Sequence, residues 1–441
     1  MMVRPSALLL ACAAALSASC GGDANPQVPT RAPVARPAGG RTISAREPLQ
    51  AQLDAASPGS ILWLEPGSYQ GPFRITKPLV LWGPAEAVLR SRNGSTLRVE
   101  SDRVQLLGFT VEGSGQRFDL MDGGLSLTGA DLRVEGVTVR DALFGIMVLG
   151  CTRAEIRGNT VIGTGIPAMG LRGDAIRLWE TNDSVVEENV VRDARDLVVW
   201  YSSRNVLRRN EVRRSRYGTH FMYSHGNTVE DSAYVDNEVG VFAMYSRDLV
   251  LRRNLLARSG GASGLGLGLK EAGNVTVEDN WILANTVGIY VDASPLDPSH
   301  TNVYRRNTVR YSEIALSLHA AVKRTEVLEN VFRDNGSVVQ VGGGGDALKC
   351  RFEGNYYDAY QGYDLDGDGH GDVPFEFRRL STQLEGRYPE LALLHGAPAM
   401  SLVDVAGQVL PLFAPKRLLT DEAPRVTPIA MSWTPEARHA H

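Results

Sequence analysis

What this 441-residue chain has little of excludes several classes of protein at once. Four cysteines are too few for a disulfide-built scaffold. Aromatic residues make up 7% and the formal net charge is −4, so there is no basic excess of the kind that binds nucleic acid. Lysine is scarce: Lys77, Lys270, Lys323, Lys349 and Lys416 leave 41 of the 46 basic residues as arginine. Beyond the N-terminal segment no apolar run reaches 18 residues, so no transmembrane helix is expected. Glycine is plentiful instead, 46 of 441, which favours many turns over a few long helices. Length alone predicts about three domains.

Residues 1–20 have the layout of an export signal: Arg4, an apolar run from Ala7 to Leu16, then small residues up to Cys20. Ser17-Ala18-Ser19-Cys20-Gly21-Gly22 resembles a bacterial lipoprotein cleavage site, with serine where that pattern prefers leucine. Cys20 is therefore the expected lipidation site, the alternative being a plain secretory signal cut nearby. Residues 21–43 contain Pro26, Pro29, Pro33 and Pro37 and little that packs, so they read as an extended tether. In polyproline-like geometry the 19 residues from 23 to 41 reach roughly 60 Å.

An internal repeat organises the body of the chain. Asn159, Asn189, Asn210, Asn254, Asn280, Asn307, Asn330 and Asn355 recur at spacings of 30, 21, 44, 26, 27, 23 and 25, with Asp231 at the step that the interval of 44 skips. A second series, Gly145, Asp174, Asp196, Gly218, Gly240, Gly264 and Gly288, runs in step with it. Units of 22 to 30 residues with two or three short alternating runs have no room for a long helix. They predict a right-handed parallel β-helix of the pectin-lyase-like type, a single-stranded all-β solenoid of about twelve turns whose units stack about 4.8 Å apart. Asn would sit at an inward bend and bond turn to turn. Leu49, Leu53 and Ala56 predict an N-terminal cap helix over 46–57. The domain reading is a signal at 1–20, a tether at 21–43, the coil at 44–355 and a C-terminal cap and tail at 356–441. Cys151 and Cys350 then fall about eight turns apart, too far for a disulfide.

The residues that carry chemistry lie in three successive units that are apolar on both faces. Leu197/Thr219/Val241, Val199/Phe221/Ala243 and Tyr201/Tyr223/Tyr245 form one face, and Val198/His220/Phe242 and Trp200/Met222/Met244 form the other. Only one face can point inward, so the other puts large apolar or thioether groups outside. Structural filling is one reading. A partner-docking strip through Val198, Trp200 and Phe242 is another, and a soft-metal site is a third. His220, Met222, His225 and Met244 combine thioether with imidazole, which suits Cu(I) and disfavours calcium or magnesium.

A second cluster, Asp364, Asp366, Asp368 and Asp372, interleaves carboxylates with glycines like the first half of a calcium loop, but Phe375 stands where an EF-hand has its glutamate. A turn fixed by Asp side chains on backbone amides explains it equally well. Strand and turn carboxylates such as Asp174 and Glu187 are expected to face solvent, and no acid/base constellation emerges.

Gly173-Asp174-Ala175-Ile176-Arg177-Leu178-Trp179, Arg216-Tyr217-Gly218-Thr219-His220-Phe221-Met222-Tyr223-Ser224, Ala243-Met244-Tyr245-Ser246 and Asp368-Gly369-His370-Gly371-Asp372-Val373-Pro374 resemble the NosD family. The similarity runs through most of residues 60–430. The resemblance implies an exported periplasmic β-helix protein, not an enzyme, that assists maturation of the copper enzyme nitrous-oxide reductase. Its implied partners are the membrane and ATPase subunits of an ABC transporter, a copper chaperone and the reductase, with contact to the membrane through those partners or the lipid anchor. Two departures stand out: Tyr357-Asp358-Ala359 replaces the family's aromatic-Ser-Asp, and the lipoprotein-like start with its tether is not the ordinary arrangement. The competing function is a polysaccharide-binding or polysaccharide-modifying β-helix of the lyase or epimerase kind. The apolar segment near Met400, Leu402, Val403, Val405 and Ala406 reads as a cap on the stack or a contact with a membrane partner.

Overall fold

The computed structural model describes residues 32–261, 263–319, 322–431 and 433–435. The signal segment and Cys20 lie outside the described residues. From Pro33 onward the described residues form one compact unit, so the domain count suggested by length does not apply.

Short strands recur along the coil and join three parallel sheets of 16, 13 and 12 strands. Each strand pairs with its counterpart in the unit before and after, and the one antiparallel pair among the described residues joins Phe375–Phe377 to Leu419–Asp421. The interior is a continuous apolar column. In the third sheet Ile146, Ile176 and Leu197 stack one above another, as do Val241, Leu267 and Ile289 beyond the intervening Thr219, and all are almost wholly buried. Where adjacent units approach closely a side chain has no room: a Cβ on Gly218 would lie 2.4 Å from the Gly240 carbonyl oxygen and 2.5 Å from the Tyr234 ring.

The Asn series forms the predicted ladder. Asn254, for example, donates its backbone N–H and its side-chain amide to Asn280 Oδ1 at 2.9 and 3.0 Å, and Asn280 does the same to Asn307 at 3.0 and 2.9 Å. The skipped step is filled by Ser232, not Asp231: Asn210 N–H donates to Ser232 Oγ at 3.1 Å, and Ser232 N–H to Asn254 Oδ1 at 3.0 Å. Asp231 takes the left-handed corner just before it, φ 51°, and pairs outward with Arg253. At the far end Asp421, on a strand 66 residues later, accepts from Asn355 and so supplies the last rung.

Both ends of the coil extend past the expected limits. Arg41–Ile43 is already a strand, and Arg36 lies 3.4 Å from the Trp63 ring centroid, so the last part of the tether is held against the coil. The cap helix is Leu49–Ala55, with Leu49 and Leu53 buried. Beyond residue 355, Tyr356–Tyr357 adds a strand. The helix Leu380–Arg387 then packs on the last strand of the third sheet, so close that a Cβ on Gly386 would meet the Val341 carbonyl oxygen at 2.3 Å. A second helix, Pro398–Val409, packs on the first through Met400 and Gly407. Cys151 and Cys350 are free and buried, and burial pushes their thiols up to about 11 and about 12.

Candidate functional site: an outward strip of aromatic and thioether side chains

The third sheet decides which stripe faces out. Leu197, Val199, Phe221, Val241 and Ala243 are interior. Strand alternation therefore places Val198, Trp200, His220, Met222, Phe242 and Met244 on the outer face. Trp200, Met222 and Met244 stand directly opposite one another on successive strands, as do Val198, His220 and Phe242. Opposed Cα atoms are about 4.8 Å apart, and His220 and Met222, two residues apart on one strand, about 7 Å.

Tyr201, Tyr223 and Tyr245 are not on the inner face. Each occupies a left-handed corner, φ 52°, 50° and 50°, which breaks the alternation and turns the ring outward. The next residues, Ser202, Ser224 and Ser246, turn inward and are buried. The three rings stack at 5.4 and 4.9 Å with interplanar angles of 11° and 12°, and Tyr201 and Tyr223 are 44% exposed. Their hydroxyls make no hydrogen bond among the described residues. Composition does not reveal this ladder, because the corner conformation that creates it is one Tyr rarely adopts.

His220 is only 6% exposed although it faces outward. Tyr217 and Trp200 flank its ring at 4.7 and 5.5 Å, with Phe242 at 6.3 Å. Burial, reinforced by the Arg216 charge, pushes its pKa down to about 4, so the imidazole is neutral near pH 7. Trp200 Nε1–H donates to His220 Nδ1 at 3.4 Å, while His220 Nε2 is buried without a hydrogen-bond partner among the described residues. A buried polar atom with no partner asks for a ligand. Nearby thioethers on Met222 and Met244, both half-buried, make a soft cation the ligand that the donor set fits.

His225 does not join them. It lies beyond the Tyr223 corner, where its Nδ1 accepts the Arg247 backbone N–H at 3.2 Å. The fourth expected donor is thus directed along the next wall by the chain reversal that the sequence spacing conceals.

Two carboxylates, Asp174 below the strip and Glu187 on the first sheet, correct a further expectation. Asp174 and Glu187 are buried, not solvent-facing. Asp174 accepts from Arg177 Nε at 2.7 Å and Arg195 Nε at 2.9 Å, and Asp196 accepts from Arg216 Nε at 3.1 Å. Burial raises the Asp196 carboxyl, against the pull of Arg216. Arg177 in turn lies 5.1 Å from the Trp200 ring centroid, so this ion network supports the aromatic strip from beneath.

In the acidic loop Asp364, Asp366 and Asp368 bring one oxygen each within 4.8 Å of the others, and Asp372 is not part of that group. Every one of them also caps the loop: Asp364 accepts the Gly367 and Gly369 amides, Asp366 that of Asp368, Asp368 that of His370 and Asp372 that of Leu365.

The outer face of the C-terminal helix Pro398–Val409 is uncovered. Leu402, Val405 and Val409 are 71%, 54% and 69% exposed, and Leu412 just beyond is 88% exposed. The segment therefore packs on the capping helix Leu380–Arg387 with one side and leaves an apolar surface on the other. Among the described residues no helix is long and apolar enough to cross a membrane.

Architecture and strip together define a parallel β-helix protein with an outward-facing soft-donor surface. The A-module of the Azotobacter vinelandii mannuronan C-5 epimerase AlgE6 shares the architecture, with a TM-score of 0.51 at 16% identity over 71% of this chain and 94% of its own. Residues 156–362, which include the whole strip, match the family described as "Periplasmic copper-binding protein (NosD)". A protein of Stutzerimonas stutzeri is 26% identical over 370 residues, covering 80% of this chain and 84% of its own length. One of Pseudomonas aeruginosa is 26% identical over 390 residues, covering 85% and 90%. Both bear the name "Probable ABC transporter binding protein NosD".

Proposed function

We propose that this chain is a non-enzymatic periplasmic accessory protein that acts with an ABC transporter in assembling or supplying the copper sites of nitrous-oxide reductase. The observation that carries the reading is the unpartnered His220 Nε2 beside Met222 and Met244 on the outer wall of the region that matches the copper-binding family. Copper is the cargo here. A two-sulfur, one-nitrogen set suits the monovalent ion, and half-buried methionines on the outer sheet face would let a second protein give or take it directly. Neutral His220 stays able to ligate under mildly acidic conditions, since its one ring lone pair is not lost to protonation until about pH 4 and a tautomer shift moves it from Nδ1 to Nε2. Trp200 and Phe242, both half-buried, frame the set and are the proposed contact for a copper chaperone or the reductase, whereas Val198, expected to join them, is fully buried and offers a partner no surface. The apolar C-terminal surface around Leu402 and Val409 is the proposed contact for the transporter. Lipidation of Cys20 would hold the protein at a membrane.

Anaerobic titration with Cu(I) against a competing chelator tests the reading. Met222→Leu/Met244→Leu should weaken binding by at least tenfold, and equal affinity in both proteins would remove copper from this strip. For the acidic loop, calcium titration of the wild type beside Asp364→Asn/Asp366→Asn separates an ion site from a self-capped turn.

A further inference from the structure

We infer that Trp200 is itself part of the copper site, its indole covering a Cu(I) ion held by His220, Met222 and Met244. The inference rests on the proposed copper-handling function and adds a fourth, non-donor wall that discriminates between ions.

Position comes first. Trp200 stands opposite Met222, which stands opposite Met244, on three successive strands of one outward column. A metal bound between the two sulfurs is therefore one and a half strand spacings from Trp200, about 7 Å in the backbone, a span within reach of an indole side chain. The ring also leans toward the neighbouring column: its N–H reaches His220 Nδ1 at 3.4 Å and the two ring planes stand at 88°. It thus spans the gap between the imidazole and the first thioether. Arg177 lies over the same ring at 5.1 Å, which leaves the opposite face for a second cation.

The hydrogen bond supplies a coupling. Neutral imidazole carries one proton, and a ring that accepts at Nδ1 carries it on Nε2. When Nε2 ligates copper, that proton leaves Nε2 and one is taken up at Nδ1, with no net change in protons or electrons. Nδ1–H cannot accept from Trp200, so loading frees the indole to turn its face to the metal. Tyr217 and Phe242 keep the surroundings apolar, where attraction between a cation and an aromatic face is strongest. A weakly hydrated monovalent ion gains from such a wall, whereas zinc demands further nitrogen, oxygen or thiolate donors that the strip does not offer.

The test uses the exported chain without oxygen. Wild type, Trp200→Leu and Trp200→Phe are titrated with Cu(I) while chelator competition, near-UV absorption and indole emission are followed. The expected result is a Cu(I)-dependent near-UV change and quenching in the wild type, both absent in Trp200→Leu, with affinity lowered about tenfold. Trp200→Phe, which keeps an aromatic face but no N–H, should recover part of the affinity, and zinc binding should be equal in all three. Trp200→Leu or Trp200→Phe binding Cu(I) as the wild type does, with the spectral change intact, overturns the inference while the Met–His site stands. Loss of the Met222/Met244 dependence would instead overturn the underlying reading, a distinguishable outcome.

Discussion

Two corners of the same coil share one backbone geometry and are filled in opposite ways. At the corner between the first and second sheets, Glu188, Arg209, Asp231, Arg253, Asp279 and Arg306 occupy left-handed positions in successive turns, φ 51–57°, and each precedes a buried Asn or Ser. Their charges alternate. Arg209 pairs with Glu188 at 3.0 Å, Arg253 with Asp231 at 2.7 Å and Arg306 with Asp279 at 2.9 Å. At the corner that ends the third sheet the left-handed residues run Glu180, Tyr201, Tyr223, Tyr245 and Glu271, and here the middle three stack as outward rings, Tyr201 and Tyr223 exposed and Tyr245 half-buried. The first filling links turns by charge; the second leaves a surface with unbonded hydroxyls beside Met222 and Met244. The amide ladder and the charged corner tie each turn to the next by polar bonds, whereas the aromatic corner ties turns by ring stacking and presents the surface that the proposed function uses.

The largest effect should come from breaking the amide ladder. Asn280→Leu removes the acceptor of two Asn254 donors and the donor to Leu251 and Asn307. With several buried polar groups left unpaired at once, the loss should be about 4 kcal/mol in denaturant unfolding. Cu(I) affinity of the folded fraction should stay as in the wild type. A large loss of copper binding would dissolve the distinction between the two corners.

Next in size is a pH effect on the copper-free protein. The folded His220 titrates at about 4 against 6.5 for a free imidazole, so the unfolded chain binds more protons in between. Its contribution is complete above pH 6.5 and disappears as pH falls toward 4, an upper bound of roughly 3 kcal/mol. His220→Phe should flatten the stability profile over that window; an unchanged slope would show that the ring is not buried as a neutral group. Smaller again, Leu402→Asp/Val409→Asp should weaken capture by the transporter subunits at least tenfold, about 1.4 kcal/mol, without lowering the melting temperature, because both side chains are exposed.

The ease with which these features can be read in the sequence differs for a physical reason. Side chains that bond to their own copies one turn away must repeat at the period of the coil, so Asn189, Asn210 and Asn254 announce the fold, and Leu197 and Val199 announce a strand. What fills a skipped rung obeys no period: Ser232 substitutes for Asn because a hydroxyl serves the same amide, and Asp231 beside it is the charged corner residue. Likewise His220, Met222 and Met244 are legible as one set because strand alternation carries them to one face. Tyr223 and His225 escape that rule because a single left-handed residue resets the alternation and no residue preference marks a tyrosine for that role. The buried state of Asp174 is hidden for another reason: three arginines that neutralise it and Asp196 come from different turns.

The smallest effect tests the comparison most finely. Tyr223→Gly relieves a left-handed side chain, worth roughly 1 kcal/mol, and forfeits two stacking contacts of about 0.5–1.5 kcal/mol each that are partly exposed. The terms nearly cancel, and the melting temperature should move by only a few degrees. Arg253→Gly gains the same backbone relief and forfeits ion pairs to Asp231 and Glu230, again of about 1 kcal/mol in total. The two variants should therefore be alike in stability and differ in binding: Tyr223→Gly should weaken whatever copper carrier docks on the strip, and Arg253→Gly should not. If Tyr223→Gly instead unfolds the coil while its charged counterpart is tolerated, the tyrosine ladder is a brace and the asymmetry between the two corners is one of stability alone.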